Sequence, residues 1–325
     1  MNRFKVYVTR RIPQEGIDLL KRVADVEVNP DDRPLSRAEL LDKVQGVDGV
    51  IGLLTDKIDG EFFDAAAGIK GYANYAVGFD NIDVPEATKR GIPVSNTPGV
   101  LTDATAECAW SLIFSVARRI VETDKVMRSG KWTGWGPLQF IGGDIKGKTL
   151  GIVGAGRIGT EVALMSRGFN MKVIYTSSSD RRNGVLESEL HAKLVSFDTL
   201  LKDSDFISIH TPLTPKTRHM FDASAFSHMK RTSYIINTAR GPIIKETDLV
   251  VALESGEIAG AGIDVYENEP LMAPGLAELD NAVILPHIGS ATISSRTDMA
   301  TLAARNLIAM LKSEKPETCL NAELF

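Results

Sequence analysis

Cysteine is nearly absent from this chain of 325 residues, with Cys108 and Cys319 the only two. They lack metal-ligand spacing and build no disulfide framework, so they read as reduced thiols of an intracellular protein. Long apolar runs are also missing. The longest, near residues 109–117, contains Ser111 and Ser115 and stops at Arg118-Arg119; a membrane-spanning helix needs about 20 apolar residues. The start, Met1-Asn2-Arg3-Phe4-Lys5, has neither the apolar segment nor the small-residue cleavage site of a secretory signal. Excess positive charge is the third absence. With 37 Lys and Arg against 42 Asp and Glu, the net charge is −5, which excludes the basic footprint of nucleic-acid or anionic-membrane binding. No set of His, Cys and carboxylates has ligand spacing, so no metal is expected. The expectation is a soluble, cytoplasmic protein whose anionic ligand is caught by a local site.

What is present suffices for two cores, since 43% of the residues are hydrophobic and the length suits two domains. The first hundred residues alternate short apolar runs with helical patterns. Strands are predicted over 5–9, 26–28, 50–54, 71–76 and 92–96, and helices over 14–22, 37–44, 61–66 and 85–90. Alternating βα units imply a parallel sheet covered by helices. A long amphipathic helix is predicted over 104–128. Next comes Lys131-Trp132-Thr133-Gly134-Trp135-Gly136-Pro137, which suits neither helix nor strand and reads as an arm or loop. A second βα series runs from 149 to about 287, and a last helix covers about 292–312.

The second series opens on Gly151-Ile152-Val153-Gly154-Ala155-Gly156-Arg157-Ile158-Gly159-Thr160. This is G-x-G-x-x-G between an apolar strand and a helical pattern over 160–168. Gly154 permits the tight turn, Gly156 lets backbone approach a pyrophosphate, and Gly159 lets the helix pack on the strand. The helix N-terminus offers N–H donors. A further strand, 172–175, follows at the spacing of a dinucleotide-binding unit. Such a unit for NAD usually carries an acid about 20 residues on, gripping the ribose hydroxyls. Here stand Thr176-Ser177-Ser178-Ser179, with Asp180 late and Arg181-Arg182 beyond. Hydroxyls with guanidinium groups suit a 2′-phosphate, so NADP(H) is favoured, with NAD(H) the alternative.

Three polar residues follow apolar strands of this series. Arg240 ends a strand predicted over 234–239, Glu269 follows one over 259–265, and His287 one over 283–285. All three would lie at the carboxyl ends of parallel strands, where open α/β sheets bind ligands. Reducing a 2-oxo acid requires gripping a carboxylate, polarising a ketone and protonating its oxygen. Arg240 supplies a planar fork, and His287 a proton donor whose charged form a nearby carboxylate favours. His210 also ends a strand and ranks as a neighbour of the cofactor. His191 reads as exposed, and His219 and His228 as structural.

These segments together resemble the D-isomer-specific 2-hydroxyacid dehydrogenase family over essentially the whole chain. The matching stretches are Gly154 to Gly159, His210-Thr211-Pro212-Leu213-Thr214, Asn237-Thr238-Ala239-Arg240-Gly241, Gly262-Ile263-Asp264-Val265, Glu267-Asn268-Glu269-Pro270 and Pro286-His287-Ile288-Gly289-Ser290. The resemblance implies an active site of Arg240, Glu269 and His287. It also implies a cofactor lined by Thr105, Gly154, Gly156, Arg157, Ile158, Gly159, Thr160, Ser177, Ser178, Ser179, Arg181, His210, Pro212, Thr217, Thr238, Ala239, Arg240, Asp264, His287 and Gly289. The implied fold is α/β with two doubly wound parallel-sheet domains. A Rossmann cofactor domain, 100–287, is inserted in a flavodoxin-like substrate domain built from 1–99 and 288–325.

Within the family, Leu53-Leu54-Thr55-Asp56 and Tyr75-Ala76-Val77-Gly78-Phe79 resemble the glyoxylate/hydroxypyruvate reductase branch. There the N–H groups matching Val77 and Gly78 bind the substrate carboxylate; Leu53, Arg240 and Ser290 complete the implied substrate set. The 132–138 segment resembles that branch's arm, which crosses a homodimer, although Gln139 stands where the branch often has tryptophan. The expected reaction is hydride transfer from NAD(P)H to C2 of a small 2-oxo acid. Dehydrogenases of the 3-phosphoglycerate or D-lactate type are the alternatives, and a cofactor-sensing corepressor is the alternative from another functional class.

Overall fold

A computed structural model describes residues 3–177 and 181–325. The chain forms two compact units, Met1–Leu101 with Ala291–Phe325, and Thr102–Ser290.

The first unit runs β1 (Phe4–Val8), α1 (Gln14–Lys21), β2 (Ala24–Val28), α2 (Arg37–Lys43), β3 (Gly49–Gly52), α3 (Gly60–Ala65), β4 (Gly71–Asn74), α4 (Val84–Lys89) and β5 (Val94–Ser95). The five strands pair with one another in parallel, in the order β2-β1-β3-β4-β5, the flavodoxin-like arrangement. β3 and β4 are buried at every residue, as strands covered on both faces must be. Side chains set the helix starts. Ser36 Oγ accepts from Glu39 N, while Glu39 Oε2 accepts from Ser36 N, a reciprocal cap. The C-terminal helix, Ile293–Leu311, packs against α1, β3 and β4.

The second unit begins with α5 (Thr102–Ala117) and α6 (Ile120–Arg128). It continues through β6 (Thr149–Val153), α7 (Arg157–Met165), β7 (Lys172–Thr176), α8 (Gly184–Leu190), β8 (Lys193–Leu194), α9 (Phe197–Asp203), β9 (Phe206–Ile209), α10 (Ala223–Ser227), β10 (Tyr234–Asn237), α11 (Glu246–Glu254), β11 (Gly260–Ile263) and β12 (Ala282–Ile284). Its seven parallel strands are ordered β12-β11-β10-β9-β6-β7-β8. The order reverses between β6 and β9, so the chain leaves both strands at a topological switch point. Because the sheet is wholly parallel, residues following β6, β9, β10, β11 and β12 share one edge.

The single helix predicted over 104–128 is two. α5 stops because Gly143 N donates to Ala117 O at 2.8 Å, and Arg119 takes a left-handed φ of 52°. Arg119 is then held by both Glu122 oxygens, at 2.6 and 2.7 Å, as α6 starts. Nor is α5 a one-sided amphipathic helix: it packs against β10, β11 and α7, and Trp110 Nε1 donates to Val162 O at 3.0 Å. Several predicted elements also end early. The strand predicted to reach 239 stops at Asn237, whose amide accepts from Ala239 N and donates to Arg240 O. That side chain substitutes for the ladder and bends the backbone away.

Candidate active site

The bend at Asn237 brings Arg240 off the end of β10. Arg240 Nη1 donates to Ala239 O at 2.8 Å, and Gly241 follows against the exit of β11. A methyl group on Gly241 would lie 1.8 Å from the carbonyl carbon of Tyr266, so only glycine allows these two strand exits to meet.

β11 leads into Asp264, which organises the turn after β12. His287 N donates to Asp264 O at 2.9 Å, and Ile288 N and Gly289 N donate to its two carboxylate oxygens at 2.7 Å each. Three consecutive N–H groups are thereby fixed, and His287 is held at a φ of 56°, a conformation few non-glycine residues adopt. Its ring meets Glu269: Nδ1 lies 2.9 Å from Oε2. The other Glu269 oxygen accepts from Tyr266 N at 3.1 Å, and Tyr266 Oη donates to Leu285 O at 2.7 Å. With Nδ1 committed to Glu269, Nε2 is the ring nitrogen left to face a reacting oxygen.

The charges are tuned by this packing. Burial pushes the Glu269 carboxyl upward, but the hydrogen bond and charge of His287, the Tyr266 N–H and the charge of Arg240 outweigh it, leaving the group below its ordinary value. Glu269 is therefore an anion beside the imidazole. Asp264 goes the other way. Its burial exceeds the combined pull of the Ile288 and Gly289 N–H groups and His287, and its carboxyl is raised. Burial also depresses His210 to about 3. Its Nε2 lies 2.8 Å from Ser208 Oγ, so it is a neutral ring and no proton donor at neutral pH.

The glycine turn sits at the switch point. Gly154 has a φ of 95°, and a Cβ there would lie 2.8 Å from the His210 backbone. A Cβ on Gly159 would lie 2.2 Å from Gly154 O, whereas one on Gly156 meets nothing within 4 Å. Arg157, Ile158 and Thr160 lie in the first turn of α7. Asn183, which the sequence reading passed over, braces the turn: its amide donates to Ala155 O at 3.1 Å and Thr160 Oγ1 at 2.8 Å. It also caps α8, and an Asn before a helical run is the signal that was available. Thr217 Oγ1 donates to Pro212 O at 2.8 Å, tying the loop after β9. The Thr238 hydroxyl is buried without a hydrogen-bond partner among the described residues, and Ala239 lies next to it. Thr105 on α5 is buried, with its side chain at the Gly289 backbone. Ser177 follows β7. Arg181 is exposed, and Arg182 is engaged by Glu187 at 2.9 Å. Ser178, Ser179 and Asp180 lie outside the described residues.

Leu53, Val77 and Gly78 belong to the first unit. Leu53 N donates to Asp56 Oδ2 at 2.8 Å. Val77 O accepts from Asn96 at 2.7 Å and Gly78 O from Asn74 at 2.9 Å, so two buried amides fix that loop. Ser290 lies in the turn that follows His287. Among the described residues no cluster of His, Cys, Asp and Glu has the form of a metal site, and no helix is long and apolar enough to cross a membrane.

Comparison with known proteins identifies the family. The family described as "D-isomer specific 2-hydroxyacid dehydrogenase, NAD binding domain" matches residues 110–289. A glyoxylate reductase of Thermococcus litoralis is 50% identical over 99% of this chain and 98% of its own length. Among solved structures, a glyoxylate reductase from Paecilomyes thermophila superposes with a TM-score of 0.87 at 33% identity, covering 99% of this chain and 100% of that one. An NADPH-dependent glyoxylate/hydroxypyruvate reductase from Sinorhizobium meliloti, in complex with NADP and malonate, gives 0.86 at 28% identity, covering 100% and 98%. The chain belongs to the D-isomer-specific 2-hydroxyacid dehydrogenase family.

Proposed function

We propose that this enzyme is a glyoxylate reductase working with NADPH, with Arg240, Glu269 and His287 as its reacting residues. The observation that carries the reading is the His287–Glu269 pair, 2.9 Å apart, at the same sheet edge as the glycine turn. A nicotinamide dinucleotide suits this edge on two counts. The space in front of Gly156 is open, and the buried Thr238 hydroxyl lacks a partner among the described residues. Gly154, Gly156 and Gly159 with the α7 N-terminus would hold the pyrophosphate, and Thr238, Asp264 and Gly289 would lie along the nicotinamide end. When bound, the reduced cofactor supplies the hydride.

The chain's own residues do the rest. Arg240 orients the 2-oxo acid and draws charge from its ketone oxygen. The N–H groups of Val77 and Gly78 take the carboxylate, with Leu53 and Ser290 completing the substrate set. As C2 gains the hydride, the carbonyl π pair moves to oxygen, and His287 Nε2 delivers the proton that completes the hydroxyl. Glu269 keeps the ring oriented through its 2.9 Å contact with Nδ1.

Ser177 and Arg181 support NADPH, because hydroxyls and a guanidinium accept a 2′-phosphate that an acid would repel. Ser178 and Ser179, in the same stretch, are assigned with them. The exposed Trp132, Trp135, Leu138 and Ile141 support a homodimer that covers them, and we assign the enzyme to the cytoplasm. One matrix of initial rates tests the reading: NADH and NADPH crossed with glyoxylate, hydroxypyruvate, pyruvate and phosphohydroxypyruvate. The highest kcat/KM is expected for NADPH with glyoxylate. Best turnover with pyruvate or phosphohydroxypyruvate would move the enzyme elsewhere in the family, and a preference for NADH would refute the phosphate site. Sedimentation should report a dimer.

A further inference from the structure

We infer that Glu246 is a positioning residue for Glu269: its buried carboxylate staples together the two ends of the loop that carries that acid. Glu246 opens α11, far in sequence from Glu269, and is only 5% exposed. Oε2 accepts from Glu267 N at 2.9 Å and Oε1 from Ala273 N at 3.0 Å. Between these anchors the chain makes a tight turn, closed by Leu271 N donating to Asn268 O at 2.8 Å, with Glu269 inside it. One rigid acid thus fixes both feet of a short loop whose apex holds the His287 partner.

The staple is braced in return. Glu267 Oε2 accepts from Glu246 N at 3.2 Å, capping α11, and Glu267 Oε1 lies 2.6 Å from His219 Nε2. His219 is itself held at a φ of 52°, with its N–H on Pro242 O at 2.8 Å. Burying a carboxylate is costly unless it is fully hydrogen-bonded, and Glu246 spends both oxygens on backbone N–H groups of this one loop. A generic core residue at the site would need no charge. No other acid in the described residues joins both ends of the Glu269 loop.

The inference rests on Glu269 supporting His287 as proposed above, and the test separates the two. Glu246→Gln, Glu246→Ala and His219→Asn are compared with Glu269→Gln, measuring kcat for glyoxylate-dependent NADPH oxidation, KM for NADPH and Tm. An amide can accept from only one of the two N–H groups and turns a donor toward the other. Glu246→Gln should therefore lower kcat about tenfold and Glu246→Ala closer to a hundredfold, because displacements of about 1 Å cost that much. KM for NADPH should stay within about twofold. The loss should fall on kcat, as in Glu269→Gln, and not on cofactor binding, a split that a general loss of stability would not produce. His219→Asn keeps a residue that tolerates the left-handed backbone and removes only the outer brace, so a drop of roughly threefold in kcat is expected. If Glu246→Gln does not fold, that variant decides. A lowered Tm with wild-type kcat would overturn the inference and leave Glu246 a structural staple. An inert Glu269→Gln would instead overturn the reading of the site itself.

Discussion

Gly241→Ala adds one methyl group at the point where the exits of β10 and β11 touch. That methyl would sit 1.8 Å from the Tyr266 carbonyl carbon, 1.9 Å from its oxygen and 2.5 Å from Glu267 N. Real side chains do not approach closer than 3.0 Å, so one backbone must withdraw by more than about 1 Å. The obstacle is main chain, which cannot rotate aside as a side chain would. Overpacking of this kind costs about 1–3 kcal/mol, and the upper end applies here. In a domain of this size, about 3 kcal/mol lowers Tm by roughly 6–12 °C. The withdrawal also parts Arg240, next to the new methyl, from Glu269, three residues beyond Tyr266. Since about 1 Å of misplacement can cost a hundredfold, kcat for glyoxylate should fall about that far. KM for NADPH should change only a few-fold, because the turn after β6 is untouched. Calorimetry and initial rates from the loss of reduced-nicotinamide absorbance measure both effects. A Gly241→Ala enzyme with unaltered Tm and kcat would refute the account of how these strand ends are held.

Arg240→Lys keeps the charge but loses the planar fork, so kcat/KM for glyoxylate should drop at least about tenfold; a silent substitution would remove Arg240 from substrate contact. Glu269→Gln loses the carboxylate that holds His287 Nδ1 at 2.9 Å, so kcat for glyoxylate should fall at least about tenfold, with little change in KM for NADPH. Unchanged turnover would show that Glu269 does not act on the ring.

Much of this site was legible because its residues follow apolar strands. Gly154, His210, Arg240 and His287 each come just after a buried run, and a parallel sheet sends all such positions to one edge. The flavodoxin-like and Rossmann-type strand orders came from family resemblance, since periodicity shows that strands alternate with helices but not which are neighbours. Other features depend on contacts distant in sequence. The break after Ala117 needs Gly143 as a partner, and nothing in the apolar pattern through Arg119 announces it. The end of β10 at Asn237 is local, and an Asn before Thr238-Ala239 was a usable turn signal that apolar periodicity overrode. Glu246 carries no local signal, and Glu267 entered only as part of the Glu267-Asn268-Glu269-Pro270 match. Their reciprocal bonding is a tertiary fact. His219 looked structural, and its tie to Glu267 two residues before Glu269 is likewise visible only in the fold.

The central claim is that His287, oriented by Glu269, delivers the proton to the oxygen of a small 2-oxo acid. The direct measurement is the turnover of His287→Ala on glyoxylate with NADPH, beside its affinity for NADPH followed by nucleotide fluorescence. The account predicts a kcat lower by at least about a hundredfold with cofactor affinity nearly unchanged. Turnover close to that of the unmodified enzyme would contradict it.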